Sequence, residues 1–150
     1  MKPNTKGPWS VTQCEQFLEG ARVPVRLACN GVSGHPVIAS LWFVPLEGRI
    51  WCATQRDASV VRLLERDARC AYEVSLESPP YRGVRGKALA EIDAARGEDI
   101  LQRLIDRYGI DRSSDFAGFL LSRLESEVAI SLTPQSLVSW DFAERMGSAI

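Results

Sequence analysis

The stretch from Gly34 to Asp67 constrains the fold most. His35 to Val44 is a near-continuous apolar run, the pattern of a strand buried on both faces. A tight Glu47-Gly48 turn follows, then a second strand from Arg49 to Thr54. Two apolar runs joined by so short a turn lie antiparallel. The second strand empties into Thr54-Gln55-Arg56-Asp57-Ala58-Ser59, which opens a helix running to about Arg66. Asp57 is the expected cap, and Val60, Val61, Leu63 and Leu64 form the apolar side. A polar, partly cationic loop at a helix N-terminus favours an anion, through free backbone N–H groups and the helix dipole. The Val, Ile, Trp and Phe side chains of the two strands offer a wall for a flat ring. Together they point to a phosphorylated aromatic ligand.

The remaining pattern is mostly strands. Ser10-Val11-Thr12-Gln13 has the form of a capping box before a helix from Val11 to Gly20. Arg22–Cys29 alternates loosely, and Asn30 to Gly34 reads as a hairpin turn. Cys70–Leu76 is the next strand. Arg82–Ile92 follows, with Val84, Gly86, Ala88, Ala90 and Ile92 on one face and Arg85 and Lys87 on the other. Asp93 caps a helix from Ala94 to Tyr108 that Gly109 ends, and a shorter helix runs from Asp111–Ser114 to Leu124. The last strands, Glu127–Thr133 and Ser136–Phe142, are expected to be broken by Pro134, with a loose tail over 143–150. Short early connections imply antiparallel neighbours. Six or seven such strands favour a mainly β, small antiparallel barrel with flanking helices in one domain over residues 1–150, with the N-terminal helix inside residues 1–21.

Composition excludes several classes. The chain has 150 residues, 45% hydrophobic and 25% charged, as in ordinary globular domains. A formal net charge of −1 argues against a nucleic-acid binder. No apolar run approaches the roughly 18 residues of a membrane span, and the N-terminus lacks the apolar segment of a signal peptide. The expected location is therefore cytoplasmic, with no membrane partner. The four cysteines, Cys14, Cys29, Cys52 and Cys70, have no metal-ligand spacing, and His35 is the single histidine, so no metal site is expected. The four thiols read as reduced and mostly in the core. There is no Walker loop, no dinucleotide-binding glycine fingerprint, no nucleophile elbow and no His-Glu-x-x-His.

What remains is the anion loop. Thr54, Gln55, Arg56 and Ser59 supply hydroxyls, an amide and a guanidinium within six residues, and Arg62 follows one helical turn later. Arg85 and Lys87 can complete the cations if their strand lies near. Trp42, Trp51, Tyr81 and Trp140 are aromatics on or beside strands. The Val37-Ile38-Ala39-Ser40 strand offers both an apolar wall and a polar edge to a tricyclic ring.

In order and spacing, the segments HPVIASLWFV, RIWCATQRDASVVRLLERDARCAYEV, PPYRGVRGKALAEI and EVAISLTPQSLVSWDF resemble the pyridoxamine 5′-phosphate oxidase-like, FMN-binding split-barrel superfamily, over roughly Arg22 to Phe142. The resemblance implies a six-stranded antiparallel split barrel, a homodimer and a flavin in a cleft between subunits. Val37, Ala39, Ser40 and Leu41 then line the ring, with Trp51 to Thr54, including Ala53, on the neighbouring strand. Gln55 to Ser59 resembles the phosphate-binding turn, Tyr81 to Gly86 resembles a strand that closes the site, and Trp140 matches an aromatic that approaches the partner's cofactor. Ser40 and Thr54 would hydrogen-bond the flavin, and Arg56 and Ser59 would hold its phosphate. Val60 stands where many members carry a phosphate-binding lysine, which leaves that charge to Arg56, Arg62 or Arg85. The Trp140–Arg145 segment lacks the basic motif of the vitamin-converting members, so pyridoxamine phosphate is not the implied substrate. The expected function is an FMN-dependent oxidoreductase of a small organic substrate. The alternatives are a deazaflavin-dependent reductase, a non-enzymatic flavin carrier, a haem carrier using His35, which is disfavoured, and a structural dimer without cofactor.

Overall fold

The computed structural model describes residues 2–147. Eight strands form one sheet: β1 (Asn4–Lys6), β2 (Val25–Asn30), β3 (Pro36–Leu41), β4 (Val44–Leu46), β5 (Arg49–Gln55), β6 (Arg69–Ser75), β7 (Arg82–Asp93) and β8 (Glu127–Asp141). Five α-helices flank it: α1 (Val11–Gly20), α2 (Ser59–Arg66), α3 (Gly97–Arg107), α4 (Asp115–Leu121) and α5 (Ala143–Met146). The spatial order is β3-β2-β6-β7-β8-β5-β4, with β1 added parallel to β8 and every other pairing antiparallel. The two ends of the path, β3 and β4, do not pair with each other, so the sheet curls without closing. This is a split barrel of eight strands, against the six or seven expected, with β1 and β4 both short.

Local chemistry explains most boundaries. Ser10 accepts a hydrogen bond from the Gln13 backbone at 3.2 Å and the Gln13 side chain accepts from Ser10 N at 2.9 Å, closing the capping box on α1. Glu47 and Gly48 both take positive φ, 59° and 73°, the two-residue turn that matches strand twist between β4 and β5. Gly109 (φ 65°) ends α3 in the left-handed conformation. Arg107, whose side chain is 6% exposed, donates to the Leu18, Glu19 and Ala21 carbonyls at the end of α1, tying α1 to α3.

Four expectations need correction. The run His35–Val44 is not one strand buried on both faces: it breaks at Trp42-Phe43, and Val37 and Ile38 are 39% and 72% exposed. As the sheet edge, β3 has no neighbour beyond β2, and Pro36, Val37, Ile38 and Ser40 are all exposed. Asp57 does not cap α2. Ala58 occupies the cap position without a side-chain hydrogen bond, because Ala58 N donates to Gln55 O and this tight turn delays the helix by a residue. Pro134 does not break the last strand. Lys87 faces Ser136 and Ala88 faces Pro134, so Gln135 is the extra residue of a bulge, which absorbs the missing proline N–H. The tail begins as the helical turn α5, and residues 148–150 lie outside the described residues.

Side chains facing inward, including Leu27, Ile50, Val84 and Ile130, fill the barrel. The strongly amphipathic α2 packs on β2 and β7. On the opposite face of β5 and β8, α3 buries Ile100 and Leu104 against Trp51 and Ala129. β8 is therefore covered on both faces over Glu127–Leu132. Among the described residues no helix is long and apolar enough to cross a membrane.

Candidate functional site

The end of β3, the end of β5 and the helices α3 and α4 enclose a cleft of about 310 Å³. Ser40, Leu41, Ala53, Thr54 and Gln55 line it from the strands. Leu101, Leu104, Phe116, Phe119 and Leu120 line it from the helices, with Trp42, Arg123 and Glu127 completing the wall. Its volume is at the lower end of the range for small-molecule sites, and its mostly apolar lining with a few polar groups is typical of them.

The sequence dictates this hollow. Ala53 pairs with Ala129 on β8, so two methyl groups lie where bulky residues would fill the space under α3. Trp42 stacks on Tyr108, with centroids 5.0 Å apart and planes at 13°, and meets Phe116 edge-on at 6.0 Å. The Tyr108 hydroxyl donates to Val23 O at 3.1 Å and accepts from Phe43 N at 3.2 Å, which locks the strand break against the end of α3. Phe116 and Phe119 remain 50% and 55% exposed at the rim, and the Arg123 guanidinium lies 5.4 Å from the Phe119 ring centroid.

Gln55 is held by the loop before β8. Its Nε2 donates to Glu127 Oε1 at 2.6 Å and to Arg123 O at 3.3 Å, and its Oε1 accepts from Ser126 Oγ at 2.7 Å. Glu127 is only 7% exposed. Burial pushes its carboxyl above the usual glutamate range, opposed by the Gln55 hydrogen bond and the Arg123 charge. A carboxyl whose folded pKa is raised contributes stability at low pH that is lost as pH climbs past the ordinary value toward the folded one. Glu127→Gln is therefore expected to flatten the fall of Tm across that window and to leave the variant the more stable at neutral pH. Thermal melts from acid to neutral pH check this, and parallel wild-type and variant profiles would count against it.

The other sequence candidates lie elsewhere. Val37 and Ala39 are on β3 upstream of the cleft, Val37 partly exposed and Ala39 packed on the barrel core. Arg56 borders a separate hollow of about 460 Å³ with Ile92 and Ala94, and its N–H donates to Ser126 O at 2.8 Å. Ser59 is the exposed first residue of α2, and Arg62 reaches back to the Asp57 carbonyl. Val60 is 7% exposed within the barrel core, so this position faces inward and the charges of the turn rest on Arg56 and Arg62. Arg85 lies over the Trp140 ring, 5.7 Å from its centroid, on a broad face that shares no lining residue with the cleft. Trp140 packs close over Gly83: a Cβ there would stand 2.5 Å from its ring. His35 is exposed in the β2–β3 hairpin turn, away from the cleft. Sequence reasoning missed Glu127, Arg123 and the α4 aromatics. In sequence Phe116 and Phe119 have the spacing of an apolar helix face, and nothing in it separates a cleft rim from a core.

No protein-family model and no curated sequence matches the chain. Solved structures do. A conserved hypothetical protein of Mycobacterium tuberculosis superposes with a TM-score of 0.75 at 21% identity, covering 94% of this chain and 90% of that one. An F420 reductase matches with a TM-score of 0.69 at 20% identity, over 81% and 94%. A pyridoxamine 5′-phosphate oxidase of Listeria innocua, so described as a tentative assignment, matches with 0.65 at 14% identity, over 85% and 94%. The chain has the split-barrel fold of the pyridoxamine 5′-phosphate oxidase-like proteins.

Proposed function

We propose that this protein is an FMN-binding oxidoreductase acting on a small, planar organic substrate. The observation that carries the reading is the cleft itself. Five residues expected from sequence to touch the cofactor, Ser40, Leu41, Ala53, Thr54 and Gln55, meet there against an apolar wall. The donor set fits a flavin: hydroxyls on one edge, leucine and phenylalanine side chains for a ring face, and Arg123 at the rim.

Bound FMN supplies the hydride chemistry, and the protein supplies binding, orientation and electrostatics. Ser40 and Thr54 orient the ring edge. Leu101 and Leu104 exclude water from one face. The chain leaves the cleft at Gln55 and turns directly into Arg56–Ser59, where the guanidinium, the Ser59 hydroxyl and the uncapped start of α2 receive the phosphate. The exposed rings of Phe116 and Phe119 face a flat substrate at the rim. Arg85 and Trp140 sit on a different face, so they reach a ring cleft only in a second copy of the chain. The largely apolar character of that face, with Ile38 72% exposed, supports a homodimer.

A deazaflavin is the second reading, favoured by the inward-facing Val60, which leaves the phosphate turn without a lysine, and by the likeness to an F420 reductase. The test is to incubate purified protein with FMN or a deazaflavin, remove free ligand by gel filtration and record the absorption spectrum. Retained flavin bands are expected, followed by bleaching on addition of a nicotinamide donor and substrate-dependent recovery. Retention of the deazaflavin alone shifts the cofactor assignment. Retention of neither overturns the proposal.

A further inference from the structure

The barrel holds a pair of thiols that the ring cleft does not use. Cys29 on β2 and Cys70 on β6 are direct cross-strand partners in the antiparallel ladder. Paired residues of such a ladder project from the same face, with Cα atoms about 4.5 or 5.5 Å apart according to the site. Both values lie within the roughly 4.4–6.8 Å that a disulfide spans. The flanking register confirms the shared face: Leu27 opposite Tyr72 is the neighbouring inward pair, both buried, while Ala28 opposite Ala71 points the other way. Cys29 is 2% exposed and Cys70 is partly exposed. The two residues border one surface hollow, of about 600 Å³, with Arg66, Arg69 and Lys87 at its margin.

We propose that Cys29 and Cys70 form an intramolecular disulfide under oxidation by a hydroperoxide, making the β2–β6 ladder a reversible thiol modification site. The more exposed Cys70 reacts first. Its thiolate attacks the peroxide oxygen, the O–O bond breaks, and Cys70 becomes a sulfenic acid as hydroxide (or an alcohol, after protonation) departs. The Cys29 sulfur then attacks the sulfenic sulfur, the S–O bond breaks and water leaves. The two thiols lose two protons and two electrons, and the peroxide accepts both. A dithiol reductant reverses the step. Burial holds both thiols protonated at neutral pH, with Cys70 pushed up to about 12, so the reaction is slow and calls for sustained oxidant. Cys70 Sγ also contacts Ala88 O at 3.6 Å, which must yield as the thiol turns toward Cys29. α2 packs on β2, the strand that carries Cys29.

The experiment treats the full chain with hydrogen peroxide, blocks free thiols with an alkylating agent and maps peptides by mass spectrometry. The expected product has two of the four thiols protected, a mass lower by two hydrogens, and a linked peptide pair containing Cys29 and Cys70. A reductant should restore all four. Cys14→Ser should leave the product unchanged, whereas Cys70→Ser should abolish it. Should Cys70→Ser fail to fold, the wild-type peptide map alone decides. A link through Cys52, a link between chains, or four free thiols under conditions that oxidise a control dithiol protein would each overturn the proposal.

Discussion

Gly97→Ala is expected to destabilise the protein by about 2–3 kcal/mol, the upper part of the range for overpacked positions. In a chain of this size that lowers Tm by roughly 5–10 °C. Helix propensity argues the reverse, since glycine within a helix is about 1 kcal/mol worse than alanine. Packing decides. Gly97 opens α3 where the helix presses on β8, and a Cβ there would lie 2.9 Å from Val128 N and closer still to the Glu127 carbonyl. Those atoms are backbone of a strand held by its pairing to β5, so no rotamer change relieves them. The helix must move instead, and it carries Leu101 and Leu104, the floor of the ring cleft. FMN-induced stabilisation should fall together with intrinsic stability. Gly118→Ala provides the contrast. Nothing lies within 4 Å of a Cβ at that exposed position of α4, so propensity alone acts and a gain of about 0.5–1 kcal/mol is expected. Differential scanning calorimetry of the two variants checks both signs. An unchanged or stabilised Gly97→Ala would mean that α3 is not seated on β8 as described.

Strand content, the antiparallel pairing and the positions of α1, α2 and α3 were legible because they rest on local signals: a capping box, period-two alternation in β7 and the Glu47-Gly48 turn. The failures are of a different kind. The apolar run of β3 could not reveal that it ends a sheet, because edge position depends on which strands fail to pair. Exposed Val37 and Ile38 look in sequence like buried ones. Pro134 was read as a breaker because its bulge partner, 46 positions earlier at Ala88, is fixed only by register. Of the residues that line the candidate cleft, those on β3 and β5 coincide with positions singled out by a resemblance that follows those strands. Glu127, Arg123 and the α4 aromatics were not, because α4 reaches the cleft through tertiary packing alone. Arg56, Arg62 and Arg85 show the converse. Chemical suitability suggested one cluster, and the fold distributes them over the start of α2 and a separate face of the sheet.

Ala53→Trp is expected to abolish FMN binding while leaving the fold intact. The cleft exists because positions 53 and 129, paired across β5 and β8, are both alanine. Ala129 is fully buried, whereas Ala53 is only half-buried and faces the open space. An indole at 53 therefore enters the cleft rather than the core and occupies the volume assigned to the ring. Wild-type protein at ligand concentrations near 100 times Kd gains about 2.7 kcal/mol, seen as a rise in Tm. Ala53→Trp should show no rise, with a ligand-free Tm close to wild type. Arg56→Ala tests the other end of the cofactor. Loss of a charge-assisted phosphate contact costs about 1.5–3 kcal/mol, so binding should weaken by roughly 10- to 100-fold without vanishing. The two outcomes separate ring from phosphate. If Arg56→Ala weakens binding while Ala53→Trp binds FMN like wild type, the phosphate turn stands and the ring lies outside the cleft. If both bind like wild type, the flavin occupies neither, and the exposed face bearing Arg85 and Trp140 becomes the surface to mutate.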